Sequence, residues 1–168
     1  MHRRSFLSAA LFTAGGALLG REALTRQGNR PANEKAEQFE VTKTDDEWRK
    51  LLTPQQYQVL RAHDTERPGS SPLNNEHRKG TFYCAGCDLP LFSSDTKFDS
   101  GTGWPSFWTP MNDAIRTSID RTFGVRTEVH CRRCGGHLGH VFDDGPRPTG
   151  LRYCMNGLAM VFRPAKAG

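Results

Sequence analysis

The chain has 168 residues, 36% of them hydrophobic, with 17 glycines and 10 prolines. A chain of this size favours a single domain, and its glycine and proline content excludes a long helical bundle and is typical of a compact, turn-rich fold. The net charge of +5 suggests a nucleic-acid partner, but residues 1–30 hold five arginines against one glutamate. The rest of the chain is close to neutral, so we expect no nucleic-acid partner.

The first 30 residues have the pattern of an export signal. Arg3 and Arg4 precede an apolar run over residues 6–19, which two glycines interrupt. A bilayer span needs about 20 apolar residues, so a run this short favours a signal sequence. The pattern Arg-Arg-x-Phe-Leu resembles the twin-arginine type, which exports folded protein. A retained membrane anchor and a misassigned start codon are the alternatives.

The chain therefore divides into three parts. We expect a twin-arginine-type export signal over residues 1–30, a polar linker over residues 31–42 and a folded domain over residues 43–166. The expected location is periplasmic or otherwise exported, with no stable membrane span after processing. Two capping boxes, at residues 44–47 and 53–56, each predict a short helix at the start of the domain.

After Gly80 the pattern changes to short strands. Residues 125, 127 and 129 alternate as Val-x-Thr-x-Val, which is typical of a strand with one buried face. Strands do not alternate with helices, a pattern that favours antiparallel over parallel sheets. The strand candidates are residues 81–83, 114–119, 123–130, 139–142, 151–155 and 158–162. We predict a mainly β (α+β) domain of antiparallel sheets with short helices at its N-terminal end.

Four of the five cysteines form two Cys-x-x-Cys pairs, Cys84 with Cys87 and Cys131 with Cys134. Two such turns brought together make a closed four-cysteine site without an open coordination position, which predicts one structural zinc ion. Two disulfides and catalytic redox pairs are the alternatives. Export of the folded protein would let zinc occupy the thiols before they reach an oxidising compartment.

The fifth cysteine, Cys154, is left over once the zinc ligands are assigned. It is either a small buried apolar residue or a reactive thiolate. Histidine and arginine lower the pKa of a thiol, and both residue types are close in the sequence. The segments rich in chemically capable residues are 101–108, 136–145 and 152–156. His137 and His140 are also possible metal ligands, but four cysteines already fill the coordination sphere of zinc.

These segments resemble one family, the peptide-methionine (R)-S-oxide reductases of the MsrB type. The resemblance covers residues 46–162. The motifs that carry it are residues 84–87, 91–98, 103–107 (Gly-Trp-Pro-Ser-Phe), 131–135, 137–145 (His-Leu-Gly-His-Val-Phe-Asp-Asp-Gly) and 152–156 (Arg-Tyr-Cys-Met-Asn). The family implies two antiparallel β-sheets with zinc at one end, in agreement with the strand pattern.

The resemblance also implies roles for individual residues. Cys154 matches the nucleophile that attacks the sulfoxide sulfur and is left as a sulfenic acid, a reversible oxidation state. His140, with His137 nearby, matches the groups that bind and protonate the sulfoxide oxygen. Trp104 matches the wall that receives the methyl group of the substrate, and its large apolar face suits that contact. Asn156 matches a residue that orders the polar network.

Three further residues are expected at the site, and one position departs from the family. Arg152 and Asp144 are expected to support the thiolate and the histidines and, with Phe142, to border the substrate. Many members carry a resolving cysteine in the tryptophan segment, but this chain has Thr102 there. We therefore expect an external reductant, either a thioredoxin-like protein or a small thiol, to reduce Cys154 directly.

The predicted function is thiol-dependent reduction of methionine-R-sulfoxide in proteins or peptides, with the free amino acid as a further candidate substrate. This reaction repairs oxidative damage. A zinc-knuckle module that binds peptide or nucleic acid without catalysis is the alternative. A peroxidase or general thiol oxidoreductase would need a resolving thiol that the sequence lacks.

Overall fold

The computed structural model describes residues 38–166. The predicted export signal and residues 31–37 of the predicted linker lie outside the described residues. Within residues 38–166, no helix is long and apolar enough to cross a membrane.

Two short helices open the domain, as the capping boxes predict. Helix α1 is Asp45–Leu51 and helix α2 is Pro54–Ala62. At each N-terminus a threonine hydroxyl accepts the backbone N–H of the residue three positions on, and the Glu47 or Gln56 side chain reaches back to the backbone N–H of that threonine. A cap of this kind stabilises a helix by about 1 kcal/mol. Trp48 of α1 and Val59 of α2 are buried. The helix faces that carry them cover one edge of the core.

The strands form two antiparallel sheets, so the predicted mainly β architecture is confirmed. The described residues contain nine strands: β1 Gly80–Cys84, β2 Pro90–Ser93, β3 Lys97–Phe98, β4 Ser106–Phe107, β5 Ile115–Asp120, β6 Arg126–Cys131, β7 His137–Phe142, β8 Arg152–Met155 and β9 Met160–Pro164. The smaller sheet has the order β2-β1-β9, and the larger has the order β3-β4-β8-β7-β6-β5.

Several strand boundaries differ from those expected from sequence. The strand predicted over residues 123–130 begins only at Arg126, because the preceding residues make the turn of the β5–β6 hairpin. Phe123, in that turn, is 83% exposed. The segment predicted as a strand over 158–162 starts with a 3-10 turn, Gly157–Ala159. Strands β2, β3 and β4 are absent from the sequence prediction; β3 and β4 have two residues each, too few to show a period.

Aromatic side chains join the two sheets in the core. Phe82 of β1 contacts Phe107 of β4 with ring centroids 4.9 Å apart, and Phe92 of β2 stacks on Phe107 at 4.3 Å. All three rings are fully buried. Burial of a phenylalanine ring is worth roughly 1.5–3 kcal/mol, so this cluster is a main source of contact energy between the sheets.

The other face of the larger sheet carries polar side chains in a row. Ser106 of β4 lies opposite Cys154 of β8, Cys154 opposite His140 of β7, His140 opposite Glu128 of β6, and Glu128 opposite Ser118 of β5. Directly paired residues of antiparallel strands present their side chains on the same face about 5 Å apart. The register therefore places one thiol, one imidazole and one carboxylate side by side.

Gly139 allows β7 to approach β8 at this row. A Cβ atom at this position would lie 2.2 Å from the carbonyl oxygen of Cys154 and 3.0 Å from the Cα of Met155. Both obstacles are backbone atoms, so no side-chain rotation can relieve the contact.

We therefore expect Gly139→Ala to displace the strand that carries Cys154. The free energy of unfolding should fall by ~3 kcal/mol or more, as in overpacked cores. Urea denaturation followed by tryptophan fluorescence measures this change. Gly86→Ala is the control, since its Cβ would meet no atom closer than 3.5 Å. Equal stability of the two variants would contradict the close-approach argument.

Candidate active site

A cavity of about 110 Å³ opens beside Cys154. It is lined by Thr65, Trp104, Arg126, Gly139, His140, Phe142, Cys154 and Asn156. It thus brings together residues from all three segments that the sequence analysis selected. A larger groove of about 710 Å³ lies between α2, the loop after it and β9, but none of the predicted site residues lines it.

Cys154 is partly buried and lies against hydroxyl groups. The Thr102 Oγ1 is 3.8 Å from the Cys154 Sγ, and Ser100 links Thr102 to Ser106 through two hydroxyl contacts of 2.8 Å each. The position at which the family resemblance leads one to expect a second cysteine is therefore adjacent to Cys154, but here it presents a hydroxyl group.

Arg152 and Asp144 form an ion pair beside Phe142, and neither of the two lines the cavity. The Arg152 guanidinium donates two hydrogen bonds of 2.8 Å to the Asp144 carboxylate and lies over the Phe142 ring, 4.4 Å from its centroid. The bidentate contact with Asp144 raises the pKa of Arg152, and the Cys154 sulfur adds to that shift. Arg152 therefore keeps a positive charge near the Cys154 sulfur.

His140 lines the cavity and is held from behind by Asp120. Its Nε2 is 2.8 Å from Asp120 Oδ2, and Arg126 donates a hydrogen bond to the same carboxylate oxygen. The backbone N–H of Thr122, followed by His140, keeps the pKa of Asp120 well below its usual range. Burial lowers the pKa of His140 despite Asp120. His140 is therefore mainly a neutral imidazole at neutral pH.

His137 lies behind His140 and does not line the cavity. The two rings meet edge to face, with centroids 5.4 Å apart. The His137 Nδ1 is 2.7 Å from Glu128 Oε1, and Ser118 donates a 2.6 Å hydrogen bond to the other oxygen of that carboxylate. Glu128 fixes the Nδ1–H tautomer of His137, and Nε2 of this buried ring has no partner among the described residues.

Glu128 is a buried carboxylate whose charge is compensated by hydrogen bonds. Burial alone would raise its pKa, but contacts from His137, His63 and Ser118 together hold the pKa well below its usual range. Glu128 is therefore an acceptor for the two imidazoles across the neutral pH range.

Glu66 connects the loop after α2 to the other walls of the site. Its backbone carbonyl accepts the indole N–H of Trp104 at 3.1 Å, and its backbone N–H donates to Asn156 Oδ1 at 3.0 Å. Its buried carboxylate accepts the backbone N–H groups of Gly157 and Leu158. Burial raises the pKa of Glu66. One loop residue thus fixes the tryptophan wall and the turn that follows Cys154.

The sequence analysis did not select Glu66, Asp120, Arg126, Glu128 or Thr65. All five contact or line the site. A single acidic residue within or at the end of a strand does not by itself indicate a functional site in the sequence. Only the cross-strand register shows that Glu128 and Asp120 face the two histidines.

The four remaining cysteines converge in a separate cluster. The Sγ atoms of Cys84 and Cys134 are 3.7 Å apart, those of Cys87 and Cys131 are 3.5 Å apart, and all four lie within 4.8 Å of one another. A tetrahedral zinc ion with Zn–S bonds of about 2.3 Å requires sulfur separations of ~3.8 Å. The four thiols therefore fit a metal ion, and they tie β1 of the smaller sheet to β6 of the larger.

The site places one thiol beside two histidines that accept support from carboxylates, an arrangement typical of enzymes that use a cysteine. Residues 52–164 match the family model described as the SelR domain. The chain is 59% identical over 126 residues to the peptide methionine sulfoxide reductase MsrB of Agrobacterium fabrum (strain C58), covering 74% of this chain and 93% of that protein.

Two other proteins described as peptide methionine sulfoxide reductase MsrB are also similar. That of Pseudomonas putida (strain W619) is 56% identical, with coverage of 74% and 95%, and that of Leptospira interrogans is 52% identical, with coverage of 74% and 97%. The chain therefore belongs to the SelR domain family of MsrB peptide methionine sulfoxide reductases.

Proposed function

We propose that the chain reduces methionine-R-sulfoxide in proteins and peptides to methionine, with Cys154 as the nucleophile. The observation that carries the proposal is the cavity in which Cys154, His140 and Trp104 meet. A methionine side chain entering it would lie between an apolar indole and a thiol, with an imidazole beside its oxygen. Protein repair follows from this activity.

The first chemical step transfers oxygen from substrate to enzyme. The Cys154 thiolate attacks the sulfoxide sulfur, and an imidazole protonates the sulfoxide oxygen. This attack forms a bond between the two sulfur atoms. The protonated oxygen then moves to the Cys154 sulfur as the substrate sulfur–oxygen bond and the sulfur–sulfur bond both break, and methionine leaves. Two electrons pass from Cys154 to the substrate, which leaves Cys154 as a sulfenic acid.

Two carboxylates support the proton transfer. His140 borders the cavity with Asp120 behind it, and His137 is held by Glu128 with its Nε2 unpartnered in the described part of the chain. His140 is the imidazole nearest the substrate, and its neutral ring holds its one proton toward Asp120. His140 therefore has to take up a second proton before it can protonate the sulfoxide oxygen.

The remaining predicted site residues shape the cavity around these groups. Trp104 and Phe142 enclose the methyl group of the substrate, and Asn156 orders the loop at Glu66. Arg152, paired with Asp144, places a positive charge near the attacking sulfur.

An external thiol completes the cycle. The four cysteines that fit a metal ion belong to a separate cluster, and Thr102 occupies the position next to Cys154. A thioredoxin-like protein or a small thiol therefore attacks the sulfenic acid and releases water. A second thiol of the reductant then frees Cys154.

Zinc is the metal that we propose for Cys84, Cys87, Cys131 and Cys134. Four thiolates leave no open position, so the ion would stabilise the junction of the sheets and take no part in the reaction. Together with the sequence of residues 1–30, this supports export as a folded protein by the twin-arginine route to the periplasm.

Cys154→Ser should abolish reduction of the R epimer, by on the order of 10³-fold or more, because the hydroxyl is a far weaker nucleophile. Chiral chromatography of the methionine formed from separated R and S sulfoxides measures this. The control is an unchanged thermal unfolding midpoint. Activity of the wild-type protein on the S epimer alone would refute the assignment. Full activity of the Cys154→Ser variant would also refute it and would favour a role of the chain in binding.

Treatment of the zinc-loaded protein with methionine-R-sulfoxide, without reductant, should consume one thiol and form no disulfide. A sulfenic-acid probe followed by mass spectrometry should locate the modification at Cys154. Thr102→Cys is the matched comparison, since its sulfur would lie within reach of Cys154 and should form a disulfide. An intramolecular disulfide in the wild-type protein would contradict the proposal of direct external reduction.

Protein recovered from the periplasmic fraction should contain one zinc ion and four thiols protected by it. Metal analysis combined with alkylation before and after metal removal measures both. Replacement of Arg3 and Arg4 by lysine should retain the protein in the cytoplasm with zinc bound, which separates export from metal loading. Two disulfides and no zinc in the exported protein would overturn the zinc assignment.

A further inference from the structure

The groove of about 710 Å³ between α2 and β9, here called the α2–β9 groove, adjoins the active-site cavity. Thr65 lines both the groove and the cavity. A second segment also passes from one to the other, because Asn156 lines the cavity and the next two residues line the groove. Glu66 joins the two segments, since its backbone and its carboxylate bond to three consecutive residues, 156–158. A molecule bound at Cys154 can therefore extend into the groove.

One wall of the α2–β9 groove is the edge of a β-sheet. Strand β9 is at the end of the smaller sheet, and its residues 160–162 line the groove. The Ala159 carbonyl accepts a hydrogen bond of 2.9 Å and the Ala165 N–H donates one of 2.8 Å, in both cases with a residue that flanks β1. Backbone groups alternate in direction along an antiparallel strand, so the odd-numbered residues of β9 face β1. The backbone groups of Phe162 and the carbonyl of Met160 therefore point away from β1.

We propose that the α2–β9 groove binds the polypeptide next to the oxidised methionine, and that this polypeptide adds to β9 as an extended strand. The inference rests on the proposed reductase function, because its occupant is the protein or peptide substrate of that reaction. The sulfoxide side chain enters the cavity beside Cys154, while the residues on one side of it pass Thr65 and lie along β9. None of the predicted site residues lines the groove, so it supplies contacts that the cavity does not.

The unprotected part of the β9 edge is the part that lines the groove. Pro164 lacks an N–H that would face away from β1, like that of Phe162, and Arg163 forms an ion pair with Asp88. Proline and charged side chains are common protection of an edge strand against pairing with another chain. Residues 160–162 have neither, and Val161 is 41% exposed. Strand addition is therefore open only beside the active site.

The lining of the α2–β9 groove favours recognition of a backbone over recognition of particular side chains. Helix α2 contributes the exposed amide side chains of Gln55 and Gln58. Among the exposed lining residues only Asp64 and Arg67 are charged, and their charges are opposite. A strand added to a sheet edge gains affinity through main-chain hydrogen bonds, which almost any sequence can form. The groove would therefore accept oxidised methionine in many sequence contexts, as protein repair requires.

The first test compares substrates of different length, with dithiothreitol as the reductant. The minimal substrate is N-acetyl-methionine-R-sulfoxide methylamide, and the extended ones add about four alanine or threonine residues before or after the sulfoxide. One of the two extensions should raise kcat/KM by about 10-fold, because each new main-chain hydrogen bond adds affinity. N-methylation of successive amides in that extension should remove the gain only at every second residue, since alternate N–H groups face the edge.

The second test changes the groove. Val161→Lys should lower the ratio of kcat/KM between extended and minimal substrates by about 5-fold or more, because a long charged side chain opposes strand addition at an edge. The matched control is Leu51→Lys on α1, where the leucine is 55% exposed and does not line the groove. The control should keep the wild-type ratio. In Cys154→Ser, the extended peptide should slow hydrogen exchange at the Phe162 amide, and the minimal substrate should not.

Each other outcome overturns the inference. Equal kcat/KM for minimal and extended substrates means that the groove binds no substrate. N-methylation that acts at every position or at none excludes strand addition, and an unchanged ratio in Val161→Lys excludes this groove. If Val161→Lys slows turnover of both substrates with a thioredoxin-like reductant but not with dithiothreitol, the groove binds the reductant. A wild-type dimer that Val161→Lys dissociates means that the groove binds a second copy of the chain. Failure of the wild-type protein to reduce the minimal R substrate would refute the proposed function itself, whereas these outcomes refute only the role of the groove.

Discussion

The antiparallel register of the larger sheet is the constraint on which the rest of the structure depends. It pairs Cys154 with His140 and His140 with Glu128, so groups from three distant parts of the chain become neighbours about 5 Å apart. A slip of one residue in β8 would turn Cys154 toward the aromatic core. Gly139 protects this register, because any side chain there would collide with the backbone of β8.

Carboxylates then give the site its orientation. Glu128, Asp120 and Glu66 each accept at least two hydrogen bonds, which compensate the negative charges of these carboxylates. Glu128 and Asp120 set the tautomers of the two histidines, while Glu66 aligns the tryptophan wall with the turn after Cys154. The proton positions and ring orientations are thereby restricted before a substrate enters.

Stability and chemistry are separated in space. The four clustered cysteines join β1 to β6, and the three phenylalanines join the sheets through the core. Neither set borders the cavity beside Cys154. A thiol can therefore be oxidised and reduced in each cycle without the loss of the contacts that hold the sheets together.

The sequence by itself determined the two capped helices, the antiparallel β class, the paired cysteines and the remaining thiol, because caps, period-two alternation and Cys-x-x-Cys spacing are local patterns. It also indicated Trp104, His140 and Asn156 through short motifs. The predicted start of β6 at residue 123 was wrong. Residues 123–125 lie in the exposed turn of the β5–β6 hairpin, and the strand begins at Arg126. Only the tertiary structure decided that His137 stands behind His140, and that Glu66, Asp120 and Glu128 belong to the site. Those contacts join residues 9 to 92 positions apart, and a pairing between strands or with a loop leaves no local pattern in the chain.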